Sequence, residues 1–259
     1  MDKSTTIKYI IQAAGAGGKV LKKYFGQELE LKEKSMAADF QTKADLESEE
    51  AVTKVLKKHF PNYNIHGEEN GLHDNNSEWT FYIDPLDGTN NFVIGLPHFS
   101  VNIVLLKNKA AHYAVTHQPI LNNTYYAVKG QGAFLNNSKI TVSNTVEIPR
   151  ATIATQAYYD TPETTIQKIH TILYAQDVKR ILSNWSPALD YGMLAAGKID
   201  GIINYGNEIY DFAAGKLIAR EAGAKITTFD GQEDLDDLNP QFIASNGTRI
   251  HSRLLDVLK

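Results

Sequence analysis

The chain of 259 residues has no cysteine. That excludes disulfides, thiolate nucleophiles and thiolate metal sites, and it fits a reducing compartment. It also has no basic excess: 26 Lys and Arg stand against 30 Asp and Glu, a formal net charge of -4. Without a positive field to hold a polyanionic backbone, a nucleic acid polymer is not expected as a partner. No apolar run is long enough to cross a bilayer, and the opening MDKSTTIKYIIQ lacks a basic segment followed by a long apolar one. The expectation is a cytoplasmic protein with no membrane partner. Internal repeats and low-complexity tracts are missing too. What is present is 42% hydrophobic and 22% charged residues, ordinary for a soluble globular chain able to bury a substantial core.

Apolar spacing predicts a first amphipathic helix over Ser4 to Phe25 and a second over Ala44 to His59, which Pro61 keeps from continuing. Within the first, AAGAGGKV (Ala13 to Val20) looks like a phosphate-cradling loop. A P-loop needs glycine at Ala13 and Ser or Thr at Val20, so small residues for close helix packing are the better reading. Short strands are expected at Tyr63 to His66, Thr80 to Ile83, Val101 to Leu106, Ala111 to Thr116, Thr124 to Val128 and Lys139 to Val142, as an antiparallel sheet. From Ile148 the pattern alternates: strands at Thr152 to Gln156, Gly201 to Asn204, Lys225 to Phe229 and Gln241 to Ser245. Helices are expected at Thr161 to Tyr174, Pro187 to Ala196 and Asp211 to Ala222, and a last one through Leu254 to Leu258. The fold class is α/β (α+β). No composition shift marks a linker, so two tightly packed subdomains, residues 1–145 and 146–259, are expected.

The stretch FYIDPLDGTNNF (Phe81 to Phe92) carries the chemistry. Pro85 cannot donate to a ladder, so Asp84 is expected at or just past the end of a strand, with Asp87-Gly88 marking a turn. Two carboxylates aimed into one space need a positive charge, and oxygen ligands, the Leu86 carbonyl among them, suit a hard cation such as magnesium. The N–H groups of Gly88 and Thr89 at the start of a helical turn would suit phosphate oxygens. An ordinary polar turn is the plainer alternative. Yet with average residue usage the pattern D-P-x-D-G-T arises by chance in about one chain of this length in 10⁴.

The block DPLDGTNNF resembles the signature of the inositol monophosphatase family, magnesium-dependent and lithium-sensitive phosphatases related to fructose-1,6-bisphosphatase. IYDFAAGKLIAREAGA (Ile209 to Ala224) resembles its second signature, with Tyr210 where Trp is usual, and IHGEENG (Ile65 to Gly71) its glutamate motif. With AAGAGGKVLKKYF and LAAGKIDG the likeness spans almost the whole chain. It implies a layered α-β-α-β-α sandwich, a homodimer, and two to three magnesium ions. Glu68, Asp84 and the Leu86 carbonyl would hold one ion; Asp84, Asp87 and Asp211 would hold a second, with Asp84 bridging. Asp211 would also open a helix, where its charge suits the positive dipole end or acts simply as an N-cap.

The resemblance further implies that Thr42 and Asp45 bond to metal-bound water and to Thr89, although Thr-x-x-Asp is also a capping box. Water would attack directly, with Glu68 and Thr89 handling its proton and no covalent phosphoenzyme. His66, His98 and His117 lie outside the motifs. Substrate contacts are expected from Gly88, Thr89, Asn90, Ser186, Asn204, Asp211 and Lys34, the last of which could equally be a solvated surface lysine. Two departures blur the substrate: Asn204 stands where inositol-preferring members carry glutamate, and Trp185 where glycine precedes the serine. The expected activity is hydrolysis of a small phosphate monoester. Inositol monophosphate, fructose 1,6-bisphosphate, histidinol phosphate, the 2′-phosphate of NADP and 3′-phosphoadenosine 5′-phosphate are all candidates. A catalytically quiet phosphate-binding homologue and a carboxylate-pair glycosidase are the alternatives from other classes.

Overall fold

The computed structural model describes residues 2–35, 39–178 and 180–258. Helices α1 (Lys3–Tyr24) and α2 (Lys43–His59) flank a two-stranded antiparallel ribbon of β1 (Lys32–Glu33) and β2 (Phe40–Gln41). There follow β3 (Asn64–Gly67), β4 (Gly71–His73), β5 (Trp79–Asp87), the short helix α3 (Thr89–Val93), β6 (Ser100–Lys107), β7 (Ala110–Gln118), β8 (Asn123–Val128), β9 (Gly132–Leu135) and β10 (Ser138–Ile140). The last part comprises β11 (Thr152–Gln156), α4 (Glu163–Ala175), β12 (Arg180–Leu182), α5 (Pro187–Ala195), β13 (Gly201–Asn204), α6 (Ile209–Glu221), β14 (Lys225–Thr227), β15 (Phe242–Ser245) and α7 (Arg249–Val257). The ribbon strands, β4, β9 and β12 were not foreseen. Runs of two to four residues are too short to display a period.

Eight strands form one sheet in the order β10-β9-β8-β7-β6-β5-β3-β4, antiparallel apart from the β3 and β5 pair. Five form a second, β12-β11-β13-β15-β14, in which β11 runs parallel to both neighbours. Side-chain alternation layers them. On β6, Val101, Ile103 and Leu105 enter the core under α1 and α2, while Val104 and Leu106 enter the central core with α5 and α6. On β13, Ile202 joins that central core and Ile203 the outer one with α4 and α7. Helix, sheet, helix, sheet and helix thus stack in five layers. The chain passes from one sheet to the other between Ile140 and Thr152.

The glycines of α1 serve packing. A Cβ on Gly17 would meet Ser48 Oγ at 2.7 Å and Val52 at 2.8 Å, both on α2, so glycine lets the two helices approach.

One strand departs from expectation in a way that matters for the site. Instead of ending near Asp84, β5 continues to Asp87. Asp84 pairs with Asn102 and Asp87 with Ser100, so three steps on β5 oppose two on β6. This is a β-bulge, a place where the missing N–H of Pro85 costs no ladder bond. The Leu86 N–H turns to Asp84 Oδ1 instead, at 2.9 Å. In a regular strand, residues three apart face opposite sides. The extra residue resets that parity and turns Asp84 and Asp87 toward one space.

Candidate active site

A cavity of about 580 Å³ opens where β5, α3 and the start of α6 meet, and Asp84, Asp87 and Asp211 lie along it. One carboxylate oxygen from each of the three lies within 4.8 Å of the others. Leu86, Glu68, Gly88, Thr89, Asn90 and Lys34 line the same cavity. Among the described residues the lining holds seven acids and one lysine. Lys34 is committed to Glu68 at 2.8 Å and Glu69 at 2.6 Å, away from the aspartate group. Burial alone would lower its pKa, but the two glutamates more than offset that and keep it charged.

The acids themselves are held under electrostatic tension. Burial, then repulsion from Glu68, Asp87 and Asp211, pushes Asp84 well above the usual carboxylate range. Burial raises Asp87 to about 7 even though Ser186 and Ser100 donate to it. Asp211 is raised by dehydration and by Asp87 and Glu68. Enclosure lifts Glu68 to about 7, with Lys34 opposing. An arrangement that dehydrates like charges without a local counter-charge is suited to a cation, and a donor set made only of oxygen suits a hard divalent one.

Each acid is fixed by its neighbours. Glu68 and Glu69 follow β3 on a loop anchored by Glu49 of α2, whose buried carboxylate accepts from the Glu69 and Asn70 N–H groups at 2.8 and 3.1 Å. Nothing in the motif pointed to Glu49; its only signal was an acid on the same helix face as Ala44, Asp45, Ser48 and Val52. Asp211 does not open α6: it is the third residue, and its Oδ2 accepts from the N–H of Glu208, which is the N-cap. The helix starts two residues earlier because Glu208 and Asp211 close a reciprocal capping box.

Thr42 and Asp45 form the expected capping box, and Asp45 also meets Thr89. Thr42 caps α2, and its N–H and hydroxyl both donate to Asp45 Oδ2. Asp45 Oδ1 remains to accept from Thr89 Oγ1 at 3.2 Å, which also lies 3.0 Å from the Leu86 carbonyl. Burial raises Asp45 to about 6, with the Thr42 hydrogen bonds opposing. Gly88, N-cap of α3, holds φ +90°, and a Cβ there would meet His98 O at 3.0 Å. Only glycine fits that turn.

Two expected substrate contacts lie elsewhere. Asn204 is fully buried; its amide donates to Pro240 O at 2.6 Å, and its Oδ1 accepts from Asn207. It does not line the cavity. Ser186 is fully buried behind the acids and donates to Asp87, so it orients a carboxylate instead of meeting a ligand. Trp185, expected to reshape the substrate wall, lines the cavity, and Tyr158, Tyr159 and Tyr210 line it without having been read as a substrate surface. Asp190, buried beneath Asn184 and Gln156 and raised to about 7 by that burial, was likewise not foreseen.

Comparison with known proteins places this geometry among relatives. A family model described as the inositol monophosphatase family matches residues 2–259. The fructose-1,6-bisphosphatase/inositol-1-monophosphatase of Thermotoga maritima is 33% identical over 241 residues, 93% of this chain and 91% of that protein. A Nus factor SuhB of Pasteurella multocida is 35% identical over 226 residues, 85% of this chain and 84% of that one. Among solved structures, the extragenic suppressor protein suhB of Bartonella henselae superposes with a TM-score of 0.91 at 31% identity, covering 98% of both chains.

Proposed function

The chain belongs to the inositol monophosphatase family, and from that premise we propose that it hydrolyses a small phosphate monoester with magnesium by direct attack of water. The observation that carries this reading is the convergence of Asp84, Asp87 and Asp211 carboxylate oxygens within 4.8 Å, beside the Leu86 carbonyl and the first turn of α3. Asp84, Asp87 and Asp211, with Glu68 and the Leu86 carbonyl, would hold two to three magnesium ions. Bound there, magnesium would lower the pKa of water and neutralise phosphoryl and leaving-group oxygens.

The chain's own groups do the rest. Thr89 Oγ1 gives its proton to Asp45 or to the Leu86 carbonyl, which leaves its lone pairs to accept from the attacking water. Asp45, raised to about 6, is a base matched to neutral pH. Glu68, which lines the same cavity, shares the proton handling. Gly88 and Thr89 N–H groups would receive the phosphate. No step needs a covalent phosphoenzyme.

The test is release of inorganic phosphate from inositol 1-phosphate, fructose 1,6-bisphosphate, histidinol phosphate, NADP and 3′-phosphoadenosine 5′-phosphate, with and without magnesium, alongside Asp87→Asn. Turnover that requires magnesium and disappears in the variant supports the reading. A folded protein that binds magnesium and releases no phosphate from any ester overturns it in favour of a non-catalytic homologue.

A further inference from the structure

Behind the acidic floor lies an acid to which the proposed chemistry gives no part. Asp190, in the first turn of α5, is 1% exposed and does not line the cavity. A buried carboxylate ordinarily has a cation or several N–H donors against it. Asp190 has two neutral amides, Gln156 Nε2 at 3.2 Å and Asn184 Nδ2 at 3.3 Å. Neither bond comes from an N–H of its own helix, so capping does not account for it.

Both amides lead to one segment. Gln156 Nε2 also donates to the Pro187 carbonyl at 3.1 Å, and the Asn184 carbonyl accepts from Asn91 Nδ2 of α3 at 2.6 Å. Residues 184–187 are thus held at both ends, and Asp190 is the group that the two side-chain amides share. Between the ends lie Trp185, whose backbone holds φ +56°, and the fully buried Ser186, whose hydroxyl donates to Asp87 Oδ2. A bulky residue in the left-handed region persists only where its surroundings fix it. The same turn packs on the Gly88 loop: a Cβ on Gly88 would meet Ser186 Cβ at 3.1 Å and the Trp185 carbonyl at 3.2 Å.

We propose that Asp190 is a positioning residue: through Asn184 it fixes the left-handed turn at Trp185, so that Ser186 keeps Asp87 turned toward Asp84 and Asp211, and it thereby sets the affinity of the aspartate group for a divalent cation. This rests on the magnesium-dependent phosphatase reading above. Asp87 receives two hydroxyls, from Ser100 and Ser186. Ser100 is paired with Asp87 in the sheet and needs no further support. Ser186 stands on a strained turn, so its direction depends on what holds that turn. The Asp190 charge also repels the Asp87 carboxylate, a cost that a bound cation offsets.

The experiment measures magnesium affinity by isothermal titration calorimetry in the wild type, Asp190→Asn, Ser186→Ala and the double variant. Each single change should weaken magnesium by about 10- to 100-fold, the range for a group that orients a metal ligand. The double variant should bind about as weakly as the weaker single one, because the two residues act in series. Asn184→Ala, which cuts the link at a half-buried position, should repeat the Asp190→Asn loss and decides the matter if Asp190→Asn does not fold. Unchanged affinity in folded Asp190→Asn or in Asn184→Ala overturns the inference, and Asp190 then serves the fold alone. Losses that multiply in the double variant overturn it too, since Asp190 would then act on Asp87 without Ser186. Both results leave the phosphatase reading standing. If the wild type binds magnesium and hydrolyses no ester, that reading fails by itself, and the same titrations still decide the inference. A wild type that binds no magnesium overturns both.

Discussion

Thr89 Oγ1 lies 3.2 Å from Asp45 Oδ1, joining the first turn of α3 to the first turn of α2 across the floor of the cavity. Residues 44 positions apart are thereby joined in the proposed proton path, and each is fixed independently: Asp45 by the Thr42 capping box, Thr89 by the bulge and turn before it.

Breaking that path should slow chemistry and spare metal binding. Asp45→Asn and Thr89→Ala are each expected to lower kcat by about 10²- to 10⁴-fold, the usual contribution of a positioned base. Magnesium-dependent thermal shifts should persist in both. Steady-state kinetics beside differential scanning fluorimetry separates the two quantities; a variant that loses the shift together with activity would point to a ligand role.

Metal removal should act on stability through the aspartates. Because Asp84, Asp87 and Asp211 repel one another in a dehydrated site, Asp87→Asn without magnesium should melt at or above the wild type. Adding magnesium at 100 times its Kd should stabilise the wild type by about 2.7 kcal/mol and the variant much less. A magnesium-free variant that melts well below the wild type would show that Asp87 matters chiefly through its bonds from Ser100 and Ser186.

A second buried charge lies behind the site on α6. Lys216 Nζ, with no exposed surface, bonds Asp234 at 2.7 Å and the Asp236 carbonyl at 2.6 Å. Lys216→Met leaves Asp234 buried without its partner and should cost about 3–5 kcal/mol, read as a lower urea midpoint. Lys216→Met combined with Asp234→Leu should recover part of that loss, because no lone charge remains.

Two histidines should couple stability to pH. Burial lowers His117 and His251 from 6.5 to about 4. Between those values the unfolded chain binds the proton and the folded one does not. Stability from the neutral rings is therefore complete above about pH 6.5 and falls as pH drops toward 4. At pH 5 the loss is on the order of 2 kcal/mol for each ring. Urea midpoints at pH 7.5 and 5 should converge between the wild type and His251→Gln as pH falls. The site carboxylates are common to both proteins and cancel in the comparison. A constant gap would mean that His251 keeps its proton balance on unfolding.

Much of the candidate site could be read locally, because the groups that a turn brings together are close in sequence. Asp84, Leu86, Asp87, Gly88 and Thr89 fall within six residues, and the motif specifies their chemistry. Asp211 and Glu68 were legible only through resemblance, since no local pattern tells a ligand from a cap or a surface acid. Glu49 and Ser186 escaped because they act on other side chains: one anchors a loop and the other orients Asp87. Asn204 showed the opposite failure. It was placed by register, but the strand pleat turns its amide toward Pro240 instead of the cavity.

The sequence by itself determined the long helices, the order of strands, the absence of thiol chemistry and the acid-rich turn, because periodicity, composition and turn chemistry are properties of neighbours along the chain. Tertiary structure alone decided that Asp84 and Asp87 face the same way, since the bulge is defined by pairing with β6. It alone set Trp185 in a left-handed turn beside the cavity, since the anchors on either side of it come from residues 91 and 87. Direction and strain arise from contacts between distant segments, and no window of sequence contains both partners.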